Sequence, residues 1–186
     1  MAQSSRIPIM SLDEEQFMAF EGLVQWTRAV VLQAQRVTAA KKKLDIEEIM
    51  RPFKKRIEAI HNSHSEDHFF VIAAHKLIEY RKWVEELGLC TRVDFSKIDS
   101  FDKVKIIDLR NMREHVIDYF KGEGRAKDRW VEQTPDYSAD ASSVVGTMIG
   151  GRLDYLAFAI AAEHLLSQLL VEPIPYSNHS LCAVND

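Results

Sequence analysis

Residues 65–88, SEDHFFVIAAHKLIEYRKWVEELG, decide the fold class. Phe69, Ile72, Ala73, Leu77, Tyr80, Trp83, Val84 and Leu87 recur at three- and four-residue intervals, which gathers them on one side of an α-helix. Ser65 stands where a cap belongs, and Gly88 ends the run because glycine adopts the left-handed backbone that closes a helix. An apolar stripe this wide has to be covered by other helices.

Working outward, the same period appears upstream. Ser11 and Glu14 form a capping-box pattern ahead of Phe17, Phe20, Val24, Val31, Ala34 and Val37. Lys41-Lys42-Lys43 then place positive charge where a helix C-terminus favours it. A second segment, about 45–61, contains Pro52, which predicts a kink or restart, and Asn62-Ser63-His64-Ser65 predicts a turn. Downstream, a fourth helix is predicted over about 100–121, stopped by Gly122-Glu123-Gly124.

Residues 122–142 show no period and predict a long connection; the β-branched run 143–149 with Gly150-Gly151 predicts a short strand or hairpin. A last helix over 154–170 carries Leu156, Phe158, Ile160, Leu165, Leu166 and Leu169 on most of its sides, which predicts thorough burial. The expected fold is therefore mainly all-α: an antiparallel four- to five-helix bundle with a short β-hairpin elaboration before the last helix. Residues 1–171 are expected to form one domain, and 172–186, with Pro173 and Pro175, a loosely ordered tail.

Composition narrows the class. At 186 residues with 28% charged side chains, the chain has the balance of a globular domain with a substantial core. Its longest apolar run, 153–160, is interrupted by Asp154 and is far too short to span a bilayer, and no secretory signal pattern opens the sequence. Cys90 and Cys182 lie far apart without ligand spacing, as expected of reduced thiols in a cytoplasmic protein. A net charge of −4 excludes coating of nucleic acid by bulk electrostatics and leaves local basic patches as the route to such a partner.

Arg110-Asn111-Met112-Arg113-Glu114-His115 is the run that packing does not explain. Charged and amide groups inside an apolar helix need partners, so they mark a polar network or a site. At about 100° per residue, Asn111, His115 and Asp118 share a narrow face, with Asp108 beside them. Asp118, three residues from His115, can orient the imidazole. Arg110 lies about 140° away from His115 and needs its reach, a helix distortion or a second protomer to meet the same ligand. Arg113 is expected on a solvated surface. The bland alternative makes Asn111, His115 and Asp118 a buried network that sets helix register, in a non-catalytic interaction or dimerisation protein.

The run Arg110-Asn111 followed by His115 resembles the signature of the HEPN superfamily of helical-bundle domains, many of them metal-independent RNases or toxin components. The resemblance implies a homodimer with the two motifs meeting, RNA as the substrate class, an antitoxin-like protein as partner, and no cofactor. It implies that Arg110 holds the scissile phosphate, His115 moves protons for attack by the ribose 2′-OH, and Asn111 positions the pair. Toxin members often carry a tyrosine two residues after the histidine, a position that Ile117 fills here.

Just beyond this helix, Arg125, Lys127, Arg129 and Trp130 combine cations with an aromatic ring, the chemistry that contacts RNA phosphates and bases. The alternative is a surface loop with Trp130 tucked into the bundle. Lys41 to Arg56 carries seven positive charges interleaved with acids and is expected as a solvated face. Glu58–His61 has metal-pair spacing but no second pair, so no metal is expected.

Overall fold

The computed structural model describes residues 12–172 except Arg51, Ala126 and Asp136, without the side chains of residues 12, 13 and 45–50. Ser11 of the capping box, Cys182 and the expected tail beyond Glu172 lie outside the described residues. Six helices are described: α1 (Leu12–Met50), α2 (Phe53–Glu86), α3 (Ser96–Asp99), α4 (Lys103–Glu114), α5 (Val116–Phe120) and α6 (Tyr155–Leu169). The mainly helical class with a small strand elaboration before the last helix is as expected.

Helices α1 and α2 form a long antiparallel hairpin. Glu15 accepts from the Trp83 indole at 3.1 Å, Gly22 lies against the Tyr80 ring, and Gln33 reaches the Glu66 backbone at 3.1 Å, so partners descend along α2 as they ascend along α1. The break between them falls at Pro52, whose extended ψ of 145° interrupts the helical path and whose carbonyl then accepts from Lys55 at 3.0 Å to open α2. At the far end Gly88, at φ 68°, closes α2 with Leu89 N–H bonded to Val84 O at 2.8 Å.

Two boundaries differ from expectation. Helix α1 continues past Lys41–Lys43 to Met50, and α2 runs straight through Asn62–Ser65, where a turn was predicted. No glycine or proline occupies that stretch, Ser65 Oγ bonds back to His61 O at 3.0 Å, and Ser63 is buried as a small contact residue. Packing against α1 outweighs the weak local preference of these residues for a turn.

Helix α6 packs on α1 and α2, with Thr38 Oγ1 3.4 Å from the Tyr155 hydroxyl and Phe70 edge-on to both Tyr155 and Phe158. Asp154 caps it, accepting from Leu156 and Ala157 N–H at 3.1 Å each. Phe70, Leu77, Leu109, Phe158 and Leu165 are sealed from solvent, each contributing about 1.5–3 kcal/mol of burial. Thorough burial of α6 does not hold: Leu156 and Ile160 are exposed on the flank that no described element covers.

The unpatterned segment after α5 contains structure that hydrophobic period did not signal. A 3₁₀ turn at Lys127–Arg129 leads into an antiparallel pair, β1 (Val131–Gln133) with β2 (Ser138–Asp140). A three-stranded meander follows, β3 (Val144–Val145), β4 (Met148–Ile149) and β5 (Leu153–Asp154). Gly150 sits at φ 57° with its α-carbon against Leu109 and Ala141; a β-carbon there would meet Leu109 Cδ1 at 2.4 Å. That close approach fastens the elaboration to α4.

Candidate functional site

Helix α4 begins at Asp102, whose carboxylate accepts from Lys105 N–H at 3.1 Å. Ile106, Leu109 and Met112 face inward and are buried, which turns Asp108 and Asn111 to the opposite side. The helix predicted over 100–121 is interrupted at His115, where φ −108° and ψ 29° leave the helical range. His115 N–H still bonds to Asn111 O at 3.0 Å, while its carbonyl accepts from Asp118 and Tyr119 N–H at 3.0 and 3.3 Å to start α5. The histidine therefore sits at a joint, with its side chain 62% exposed and Nδ1 3.5 Å from Asp118 Oδ2.

After α5 the chain folds back. Glu123 and Gly124 N–H both bond to Asp118 O, at 2.7 and 3.1 Å. Gly124 lies so close to the Tyr119 ring that a β-carbon would come within 2.7 Å of it, so only glycine lets the loop lie flat there. The result is an open cleft of about 570 Å³. Asp108 and Asn111 from α4, His115 at the joint, Asp118 and Tyr119 from α5, and Glu123, Gly124, Arg125 and Arg129 from the segment that follows line it. Arg129 is held by Asp108 at 2.5 Å, whereas Arg125 is exposed and bonds to no described residue.

The structure thus brings Asn111, His115, Asp118, Arg125 and Arg129 together. The first three are solvent-accessible, so they are not the buried register-setting network that the bland alternative required. Arg110 is not among the cleft-lining residues: it pairs with Glu114 at 2.7 Å and reaches the rim by donating to Asn111 Oδ1 at 2.9 Å. Its Nε is buried without a partner among the described residues. Lys127 is exposed on the 3₁₀ turn outside the cleft wall, and Trp130 is half-buried, stacked on Tyr119 at 5.0 Å.

Arg110 and Glu114 look instead toward α2. There, burial lowers the pKa of both His68 and His75, and the charge of Arg110 adds to the effect. His75 Nδ1 has no hydrogen-bond partner among the described residues.

The buried polar group of α4 is Arg113, two residues from Asn111 and from His115, where the sequence suggested a network. Arg113, expected on the surface, donates from Nε to Ala141 O at 2.8 Å and from Nη2 to Ser142 O at 3.1 Å, holding the β elaboration on α4. Burial lowers its pKa, opposed by the charges of Asp67 and Asp140. Asp67, buried on α2, has its carboxyl pushed up by desolvation, while Lys41, Arg113 and His64 pull it down. A polar residue four places from the buried Leu109 was the available signal for Arg113, since that spacing lies near the buried stripe. Tyr119, which lines the cleft, is not singled out by the sequence pattern.

Cys90 is free and buried, its thiol pushed up to about 11 mainly by burial. Among the described residues no group of three or more His, Cys, Asp and Glu side chains is arranged to hold a metal ion. None of the described helices is long and apolar enough to cross a membrane. In comparisons with known proteins, the chain matches no family model, no curated protein and no solved structure.

Proposed function

We propose that this chain is a HEPN-like helical domain that binds RNA in the α4–α5 cleft and cleaves it without a metal. The observation that carries the reading is the convergence of Asn111, His115, Asp118, Arg125 and Arg129 on one open cleft. Asp118 Oδ2 faces His115 Nδ1 at 3.5 Å, and Nε2 accepts the proton of a ribose 2′-OH as that oxygen attacks the adjacent phosphate. The phosphate–5′-oxygen bond breaks, the departing oxygen takes a proton from water, and a 2′,3′-cyclic phosphate remains. Arginine forks onto the phosphate oxygens, the role for which Arg125 is unengaged and to which Arg110 is tied through Asn111. A cytoplasmic homodimer, with an antitoxin-like protein as regulator, belongs to the same reading.

Cleavage of a labelled single-stranded RNA in the presence of a chelator tests it. Wild-type protein is expected to yield cyclic-phosphate ends, and His115→Ala to lose at least about 10²-fold in rate with an unchanged far-ultraviolet spectrum. No cleavage by clean wild-type protein, or full activity in His115→Ala, defeats the catalytic reading. A second reading, a non-catalytic interaction module, is favoured by the engagement of Arg110 with Glu114 at 2.7 Å. Under it, Asn111→Leu and His115→Leu shift oligomeric state or partner choice, and unchanged assembly by light scattering and pull-down counts against it.

A further inference from the structure

Phe120 is the last residue of α5 and is 75% exposed, the ring of a large apolar residue left in solvent beside a polar cleft. It is not loosely placed. Its ring meets Trp130 edge-on at 5.8 Å, and Trp130 stacks on Tyr119 at 5.0 Å with 29° between the planes. Tyr119 itself lines the cleft, and Gly124 lies close against its ring. Three rings in sequence thus connect the cleft wall to an exposed aromatic surface.

The charge around this surface selects the kind of occupant. Residues 121–129 carry four cations, Lys121, Arg125, Lys127 and Arg129, against the carboxylates Glu123 and Asp128, in a chain whose net charge is −4. Arg125, directly after Gly124, has no ion-pair partner among the described residues. An exposed ring joined through Trp130 and Tyr119 to the cleft that the unengaged Arg125 lines matches a nucleotide, in which a π-face and a phosphate lie on adjacent parts of one ligand. A duplex keeps its bases stacked on each other and offers no free face, so the match is to single-stranded RNA.

We propose that Phe120 is the platform on which an unpaired base of single-stranded RNA stacks, braced by Trp130 and Tyr119, while Arg125 takes the neighbouring phosphate. The proposal rests on the RNA-binding reading of the cleft and names the form of RNA that it admits. Phe120 is a binding residue here and takes no part in bond-making.

Fluorescence anisotropy with a labelled oligoadenylate, an abasic strand of the same length and a blunt duplex RNA tests it on the intact chain. Phe120→Ala is expected to weaken oligoadenylate binding by roughly 5- to 150-fold, the range of one base–aromatic stack. Phe120→Trp should retain affinity, and the abasic strand should bind wild type and Phe120→Ala alike. Arg125→Ala should weaken both single strands. With its ring in solvent, Phe120 can be truncated without opening the core, and a matching thermal melt verifies this. Equal oligoadenylate affinity in wild type and Phe120→Ala overturns the platform while leaving RNA binding intact. Absence of binding by wild type overturns the RNA reading and the platform with it. A change of oligomeric state in Phe120→Ala by light scattering overturns the platform in favour of a contact between copies.

Discussion

Helix α2 passes through Asn62-Ser63-His64-Ser65 without interruption, whereas the path of α4 breaks at His115 and resumes as α5. Local sequence favours the opposite outcome, since four turn-prone residues occupy the stretch that stays helical. What separates the two is cover. Around its polar stretch α2 buries Ala59, Ser63, Asp67 and Phe70 in an unbroken stripe, whereas α5 has no buried residue. Met112 and Arg113 are the last residues of α4 that neighbours hold, and beyond them the chain leaves the helical path at the exposed His115. Continuity follows burial, and the break delivers His115 to the cleft.

The contrast can be broken by proline. His64→Pro removes an interior hydrogen bond from α2 and is expected to cost about 3 kcal/mol or more. Ile117→Pro falls in the first turn of α5, where the amide has no helical partner, and is expected to cost about 1 kcal/mol or less. Urea unfolding of the two variants measures the difference; similar costs would mean that α5 is held as firmly as α2.

A second, smaller effect sharpens it. Arg113→Met keeps the length of the side chain but strands the carbonyls of Ala141 and Ser142, at an expected cost of about 1–3 kcal/mol. Hydrogen exchange should then rise first in the β elaboration, ahead of α2. Uniform exchange across the molecule would show that Arg113 supports the whole bundle rather than this one attachment.

The smallest effect is in pH. His75 faces Glu79 and Lys76 on its own helix and Arg110 and Glu114 on α4, and burial is the largest cause of its lowered pKa. The unfolded chain therefore takes up this proton first as pH falls. Stability that is complete above the ordinary histidine value of 6.5 is lost as pH drops through it toward the folded value. His68 adds in the same direction. Denaturation series from pH 7.5 to 5 should show a shallower acid loss in His75→Gln than in wild type, and identical slopes would remove His75 from the balance.

Much of the cleft was legible in the sequence. Angular spacing puts Asn111, His115, Asp118 and Asp108 on one face, and all four line the cleft. The spacing worked for the first half because α4 is regular as far as Glu114. Beyond the break it succeeded because the break is a single residue: His115 N–H still bonds to Asn111 O, and its carbonyl starts α5. Arg113 was misjudged for a physical reason. An arginine at the edge of an apolar stripe is solvated unless another segment brings it carbonyls, and those belong to Ala141 and Ser142, 28 and 29 residues away.

Apolar period, the Gly88 stop and the Asp154 cap are local properties, settled by side-chain volume and backbone preference within a few residues. They were enough to determine a mainly helical protein with strands before its last helix. Where α1 ends, whether α2 turns at Asn62, which arginine is buried and which aromatic ring is left in solvent were decided only by tertiary structure. Each of these depends on whether a distant segment covers a face or supplies a hydrogen-bond partner. That choice is made by the competition for cover among all the helices at once, and no single stretch of sequence contains it.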